Sequence, residues 1–236
     1  MAKRRPPRRQ VREQRDTNWI LIGGVVAVAV IGLFALLLLS LQEPLVPAEN
    51  PEPQASLVVQ DFCEANEEAC LEHGVPEAPV TVVEVSDYGC PHCRNFNLDE
   101  LPTFEANYID EGLVEWVVLP YALSDRTAPA AEASLCAAEQ DSFFEFHHMM
   151  FEIQDSDLAL TEEGFLTAAE QLDLDTGAFN ACLESGRFAS VVNENVSIAS
   201  RAGVSATPTF FVNGNIVEGN RAAALEQEIL AALETE

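Results

Sequence analysis

Two stretches of the chain alternate apolar and polar residues with the period of a β-strand. They cover Val80–Ser86 and Leu113–Leu119, and the segment Phe96–Leu101 between them has a helical pattern. A strand, a helix and a second strand in this order predict a right-handed βαβ unit. The pattern therefore indicates an α/β fold in the middle of the chain.

The C-terminal half is predicted to contain helices, a hairpin and a further helix. Residues 124–203 show helical composition without strand-like alternation. Short apolar runs at Thr209–Val212 and Ile216–Glu218 flank the turn sequence Asn-Gly-Asn, which predicts a β-hairpin. Residues 222–233 have apolar side chains at helical spacing: Leu225, Ile229, Leu230 and Leu233.

The longest apolar run lies near the N-terminus. Trp19–Leu41 comprises 23 residues without a charge. As a helix it would rise about 34 Å, enough to cross a hydrocarbon core of about 30 Å. Seven of the 12 Lys and Arg residues lie within residues 1–18. The positive-inside rule therefore places 1–18 in the cytoplasm as a basic arm and 19–41 in the membrane as an uncleaved, single-pass anchor. A cleaved signal peptide and a twin-arginine signal stay open, and both would also export the rest of the chain.

Composition separates a tether from a folded domain. Residues 42–56 carry four prolines and no sustained periodicity, which predicts an extended tether before a domain at 57–236.

The chain of 236 residues is 48% hydrophobic, sufficient for a core, so disorder is excluded as its main state. Its formal net charge of −27 excludes nucleic acid as the partner, because phosphate binding needs a basic face.

The motif Cys90-Pro91-His92-Cys93 stands between the first predicted strand and the helix. Both cysteines then lie in the first helical turn, about 5–6 Å apart, which permits a disulfide. The helix N-terminus stabilises a thiolate at Cys90, and an imidazolium at His92 would add to this. Pro91 suits the first helical position. Cys90 is expected to be the nucleophile and Cys93 the more buried resolving thiol.

Two other roles for this motif remain open. A purely structural disulfide is one, but a bridge over so short a loop gains little stability. A metal site formed by Cys90, His92 and Cys93 is the other, but no second Cys/His pair at ligand spacing occurs in the sequence. The motif therefore favours redox chemistry, with no metal and no organic cofactor.

These features resemble the DsbA-type thiol:disulfide oxidoreductases of the thioredoxin superfamily. The resemblance rests on the CPHC motif after the strand VTVVEVSDYG and on the sequence ATPTFFVNG at 206–214, which is similar to the family's cis-proline loop and hairpin. Phe143–Phe151 and Phe179–Leu183 resemble helices of the family's inserted domain. The resemblance implies a thioredoxin fold interrupted by an all-helical insertion at about 124–203.

The resemblance also assigns roles to residues outside the motif. Pro208 would carry a cis peptide bond that faces the cysteines and leaves the backbone of Thr207 free to pair with an extended substrate. Glu84 lies six residues before Cys90, where the family keeps a buried acid that can relay a proton from Cys93. An ordinary trans proline and an outward-facing Glu84 stay open. Asp87 is expected to be exposed.

Four further cysteines are candidates for structural bridges. Cys136 and Cys182 lie in predicted insertion helices, 46 residues apart, and a disulfide between them is expected. A continuous helix would hold Cys63 and Cys70 about 10.5 Å apart, beyond the limit of about 7 Å for a bridge. A bend near Asn66 that permits a bridge is favoured. Two unpaired cysteines, or a second redox pair that relays electrons to the CPHC motif, stay open.

His147 and His148 lie in a predicted insertion helix rich in Phe and Met. Adjacent helical residues do not share a face, so the two are not expected to bind one metal. One is expected to pack in the core and the other to be solvated.

Together these features predict a membrane-anchored thiol oxidase that introduces disulfides into exported proteins. Its partners would be reduced or unfolded exported proteins. The resemblance implies reoxidation by a quinone-linked membrane thiol oxidase of the DsbB or vitamin-K-epoxide-reductase-like (VKOR-like) type. A disulfide reductase or isomerase, and a redox-inert adaptor that binds unfolded chains, are the alternatives.

Overall fold

The structure is a computed structural model that describes residues 24, 53–76 and 78–235. The predicted basic arm, the predicted anchor other than Gly24, and the predicted tether up to residue 52 lie outside these residues. No helix within the described part of the chain is long and apolar enough to cross a membrane. The account below concerns residues 53–76 and 78–235, which lie in one of the two compact units of the chain.

A five-stranded sheet forms the centre of this unit. Its strands, in the spatial order β1-β3-β2-β4-β5, are β1 (Leu71–His73), β2 (Val80–Ser86), β3 (Val114–Pro120), β4 (Thr209–Val212) and β5 (Asn215–Glu218). β2 and β3 are parallel, and the other neighbouring pairs are antiparallel. β2 and β3 are buried over nearly their whole length, which accounts for their valine-rich sequences.

Eight longer helices and a short 3-10 helix at Ile153–Asp155 pack on the sheet or on one another within residues 53–76 and 78–235. The first, α1 (Pro53–Ala65), precedes β1. The second, α2, follows β2 and consists of α-helical turns at Pro91–Asn95 and Leu101–Phe104 alternating with π-helical turns at Phe96–Glu100 and Glu105–Ile109. The others are α3 (Ala128–Ala138), α4 (Phe143–Glu152), α5 (Glu162–Gln171), α6 (Thr176–Ser185), α7 (Ala189–Arg201) and α8 (Ala222–Leu233). Residues 124–203, all of them described, contain α3–α7 and no strand, so the α/β fold has the predicted all-helical insertion.

The alternation of β2 directs its side chains into two cores. Val80 and Val82 pack in a cluster with residues of α2 and α8 on one face, and Val83 and Val85 in a cluster with residues of α1 and α7 on the other. Glu84 shares the face of Val82, and this face meets α2.

The first π-helical turn of α2 affects which side chains reach the sheet. It precedes Pro102, whose missing N–H interrupts the regular helical ladder. In this turn the consecutive residues Phe96 and Asn97 are both buried. A polar amide is thereby placed in the core next to an aromatic ring.

Three details differ from the sequence-based expectation. The predicted tether is too long at its C-terminal end, because α1 begins at Pro53 and proline is preorganised for a first helical position. β1 was not predicted, because three residues are too few to show a period. β3 is displaced by one residue from its predicted span and β5 begins one residue before its own, which is the usual uncertainty at element ends.

Candidate active site

Cys90 and Cys93 lie where the chain passes from β2 into α2. Cys90 caps the helix with an extended backbone (φ −88°, ψ 118°), and Pro91 follows as the first helical residue. Both cysteines are free thiols. Cys93 is completely buried, whereas Cys90 is 8% exposed. A reactant that approaches from the surface therefore meets Cys90 first.

The loop before Cys90 is held by two polar side chains. Asp87 accepts hydrogen bonds from the N–H of Gly89 at 2.8 Å and from the N–H of Leu123 at 2.7 Å. Gln154, which follows α4, donates from Nε2 to the carbonyl of Tyr88 at 2.7 Å and to that of Cys90 at 3.2 Å. The helical insertion thus fixes the backbone of the cysteine loop.

The expectation that Asp87 is exposed was wrong, since its side chain is fully buried. A buried carboxylate is tolerated when backbone N–H groups satisfy it, as Gly89 and Leu123 do here. One of these partners lies 36 residues away along the chain, so the local sequence does not reveal it.

The loop before β4 lies against Cys90. Its Thr207–Pro208 peptide bond is cis, and Pro208 is buried. Cys90 Sγ lies 3.2 Å from the carbonyl oxygen of Thr207, to which the protonated thiol donates a hydrogen bond. The Thr207 hydroxyl is buried and has no hydrogen-bond partner within the described part of the chain. This hydroxyl is therefore free to donate to a thiolate.

The two thiols have opposite acidities. The pKa of Cys90 is lowered to about 5, chiefly by a hydrogen bond from the Cys93 thiol and further by Thr207 and the backbone N–H groups of Cys93 and His92, although burial opposes this. Burial raises the pKa of Cys93 well above its usual range, and the neighbouring Cys90 raises it further. At neutral pH the reduced pair therefore consists of a Cys90 thiolate and a Cys93 thiol.

His92 is exposed, and it acts on Cys90 through its backbone N–H. The helix N-terminus and the Cys93 thiol therefore stabilise the Cys90 thiolate. From the sequence, an imidazolium at His92 was expected to contribute to this stabilisation.

Glu84 is fully buried beneath the helix that carries the cysteines. Its Oε1 accepts from Asn97 Nδ2 at 2.7 Å, and its Oε2 accepts from Trp116 Nε1 at 3.2 Å. Burial raises the pKa of Glu84, while the hydrogen bonds from Asn97 and Trp116 oppose this. The Asn97 amide also donates to the Cys93 carbonyl at 3.1 Å, so it bridges the acid and the cysteine helix.

Sequence reasoning did not identify Asn97, Trp116 or Gln154 as part of this site. The one available indication was that Asn97 follows Cys93 by four residues and so shares its helix face. Trp116 and Gln154 reach the site only through the tertiary fold.

The other four cysteines form two disulfides. Cys136 on α3 is bonded to Cys182 on α6, with Cα atoms 5.8 Å apart. Cys63 is bonded to Cys70, with Cα atoms 5.2 Å apart. The helix carrying Cys63 ends at Ala65, and the side-chain amide of Asn66 donates to the Phe62 carbonyl at 2.8 Å, so the segment bends after the helix.

The Cys63–Cys70 disulfide and the Cys90–Cys93 pair lie in different core clusters. Cys63 and Cys70 pack in the core cluster beneath α1 and α7, whereas Cys90 and Cys93 belong to the cluster of the helical insertion. Their separation into two cores gives no support to an electron relay between the pairs.

Replacing Thr207 by Val is expected to raise the pKa of Cys90 above its value of about 5. The shift should be about one unit, because the thiolate loses one donor while the side-chain shape is kept. The pH dependence of Cys90 alkylation in the reduced protein measures this value. Ser205→Ala, an exposed change in the same loop, is the matched control. An alkylation midpoint at or below that of the unchanged protein would contradict the role of the hydroxyl.

Thiol–disulfide exchange is the chemistry that this pair of unequal thiols, facing a cis-proline loop, can perform, and the chain is a protein-disulfide oxidoreductase. Residues 66–232 match the family model described as Thioredoxin, so the chain belongs to the thioredoxin family, and its relatives place it with the DsbA-like oxidoreductases.

Two kinds of relative share this domain. Disulfide bond formation protein D of Bacillus subtilis is 32% identical over 151 residues, which cover 61% of this chain and 68% of that protein. Na(+)/H(+) antiporter NhaA 3 of Salinispora tropica is 39% identical over 144 residues, which cover 60% of this chain but 21% of that protein. The chain thus spans about a fifth of the antiporter's length, so the antiporter's name assigns no activity to it.

Solved structures agree with this assignment. Oxidised BdbD from Bacillus subtilis has a TM-score of 0.65 at 28% identity, covering 72% of this chain and 95% of that one. DsbA from Chlamydia trachomatis has a TM-score of 0.64 at 22% identity, covering 70% and 92%, and shows the fold alone.

Proposed function

We propose that this chain introduces disulfide bonds into reduced or unfolded proteins outside the cytoplasm. In this proposal Cys90 is the nucleophile, Cys93 the resolving thiol and Glu84 the acid that exchanges a proton with Cys93. Pro91 and His92 complete the helix N-terminus. The backbone at Thr207 and Pro208 receives an extended substrate.

The position of Cys90 at the helix N-terminus carries the direction of the reaction, because the Cys93 thiol and the backbone N–H groups there lower its pKa. Stabilising the Cys90 thiolate stabilises the reduced pair, and the disulfide then becomes an oxidant. A low pKa also makes Cys90 a good leaving group when a substrate disulfide forms. Both effects favour oxidation of substrate thiols over reduction of substrate disulfides.

The reaction proceeds through a mixed disulfide. A substrate thiolate attacks Cys90 Sγ in the Cys90–Cys93 disulfide, the S–S bond breaks, and Cys93 leaves with the electron pair and takes up a proton. A second substrate thiolate then attacks the substrate sulfur bound to Cys90. The substrate disulfide forms and Cys90 leaves as a thiolate. Two electrons pass from the substrate dithiol to the cysteine pair.

The cellular placement in this proposal rests on the sequence. Residues 19–41 would anchor the chain in the cell membrane, with the N-terminus in the cytoplasm and the redox domain on the other side. Reoxidation requires an acceptor for the two electrons, and the proposed acceptor is a quinone-linked membrane thiol oxidase of the DsbB-like or VKOR-like type. Labelling of Cys90 by a membrane-impermeant thiol reagent, in intact bacterial cells first treated with dithiothreitol to reduce the pair, would support this placement, whereas labelling only after lysis would contradict it.

A redox titration of the cysteine pair tests the direction of the reaction. The protein is equilibrated with glutathione buffers, and Cys90 is alkylated and quantified by mass spectrometry. The expected potential is well above that of thioredoxin, which is about −270 mV. A Cys90→Ala variant supplies the background from the structural disulfides. A potential near that of thioredoxin would contradict an oxidase and favour the reductase.

A further inference from the structure

A chain of buried hydrogen bonds leads from the helical insertion to Glu84. The Tyr88 hydroxyl lies 2.8 Å from His147 Nδ1, and His147 Nε2 lies 2.9 Å from Asn97 Oδ1. Asn97 Nδ2 in turn lies 2.7 Å from Glu84 Oε1. Tyr88, His147, Asn97 and Glu84 are all buried. We call these four residues the buried chain.

The direction of the hydrogen bonds in the buried chain follows from chemistry. The carbonyl of Cys93 can only accept, so the Asn97 atom beside it at 3.1 Å must be the NH₂ group. Asn97 Oδ1 therefore faces His147, and because an amide oxygen only accepts, His147 Nε2 must carry a hydrogen. The other ring nitrogen, Nδ1, is then the acceptor for Tyr88 in a neutral imidazole.

Burial keeps the imidazole neutral. The pKa of His147 is lowered to about 3 by burial and, to a smaller extent, by the charge of His148. Burial also raises the pKa of Tyr88, so its hydroxyl keeps its hydrogen. Every hydrogen bond in the buried chain consequently points toward Glu84, which is its terminal acceptor.

A cavity beside the buried chain explains why His147 is needed to hold the side chain of Asn97 in place. Asn97 and His147 line a cavity of about 420 Å³ between α2 and α4. If Asn97 Oδ1 lost its donor, the cost of an unpaired buried oxygen would favour turning the amide toward this space. That movement would remove the Asn97 donor from Glu84. Further ionisable residues beside the buried chain or along the cavity are Asp87, Cys93, His73, Glu105, Glu145 and His148.

We infer that His147 is a positioning residue for the redox reaction: its Nε2–H holds Asn97 in the orientation that donates to Glu84 and so sets the proton affinity of that acid. The inference rests on the proposed role of Glu84 as the group that exchanges a proton with Cys93. The helical insertion then affects the rate at which Cys93 exchanges its proton with Glu84. It also holds the backbone of the cysteine loop.

The test follows the step in which Cys93 must lose its proton. Reduced protein is mixed with oxidised glutathione, and the decay of the Cys90–glutathione mixed disulfide is measured against pH. Replacing His147 by Met should raise the midpoint of this profile by about one pH unit. Below the midpoint the decay of the mixed disulfide should then be about tenfold slower. His147→Gln, which keeps an N–H donor near the position of Nε2, should restore the original profile. His148→Gln, at the exposed neighbouring histidine, is the matched control.

Glu84→Gln separates the two hypotheses. If this variant leaves the pH profile unchanged, the proposed role of Glu84 is wrong. If Glu84→Gln removes the pH dependence while His147→Met leaves the midpoint in place, the positioning role of His147 is wrong. The pKa of Cys90, measured by alkylation, should stay unchanged in His147→Met, because His147 does not contact its sulfur.

A measurement on the unaltered protein makes the test independent of whether His147→Met folds. Coupling between two groups is reciprocal, so titration of Glu84 must change the NMR resonance of His147 Nε2–H. Infrared titration of the Glu84 carboxyl group, assigned by its loss in Glu84→Gln, gives the pH at which this change should occur. A His147 resonance that does not respond to Glu84 would overturn the inference.

Discussion

Replacing Cys90 by Ala is expected to lower the rate of disulfide formation in a reduced substrate protein by at least about 10³-fold. The reason is geometric as well as chemical. Cys90 is the more accessible member of the pair, its sulfur contacts the cis-proline loop, and its thiolate is the stabilised one. Cys93 cannot replace it, because this thiol is completely buried and burial raises its pKa. Formation of protein disulfides, followed by mass increase after alkylation of the remaining substrate thiols, measures the rate.

Cys93→Ala is the companion variant, with a different expected result. Its Cys90 still attacks a disulfide, but no resolving thiol follows, so the mixed disulfide between Cys90 and the substrate accumulates. Non-reducing electrophoresis detects this species. Unchanged activity in Cys90→Ala would show that the pair is not the redox centre and would favour the redox-inert adaptor.

The second large effect concerns stability. Removing the Cys136–Cys182 disulfide with two alanines is expected to lower the free energy of unfolding by about 4 kcal/mol. The same change at Cys63 and Cys70 should cost about 2 kcal/mol. The difference follows from loop length, because the two bridges span 46 and 7 residues. A longer closed loop restricts the unfolded chain more.

Denaturant unfolding of both double variants measures this comparison. Both are made in a chain that carries Cys90→Ala and Cys93→Ala, so that the active-site thiols cannot exchange with the remaining bridge. The disulfide inside the insertion is expected to contribute more to the free energy of unfolding than the disulfide before β1. Equal losses would show that strain or residual structure in the unfolded state outweighs loop entropy.

The sequence predicted those parts of the fold that have a local period. The strands 80–86 and 209–212 and the helices of the insertion were expected from their own residues. β1 was not, since its pairing with β3 gives it strand geometry. The bend that lets Cys63 and Cys70 meet was left open, because helical composition continues past the residue at which α1 ends.

The candidate site was predictable where its residues are close in sequence. The CPHC motif and the proline loop carry their chemistry in a few consecutive residues. Whether Glu84 faces inward depended on partners on α2 and β3, and the contact between Asn97 and His147 joins residues separated by 50 positions. Hydrogen bonds over such distances depend on packing, which a single sequence does not display.

The pairing of the cysteines has a consequence for how the chain matures. Cys63 is bonded to Cys70 and Cys136 to Cys182, while Cys90 and Cys93 remain as the free pair. Each of the three pairs therefore consists of two cysteines that follow one another along the sequence. Among the 15 connectivities open to six cysteines, this is the one produced when thiols oxidise in the order in which synthesis delivers them. Native pairing can thus be reached without any wrong bond to be reshuffled.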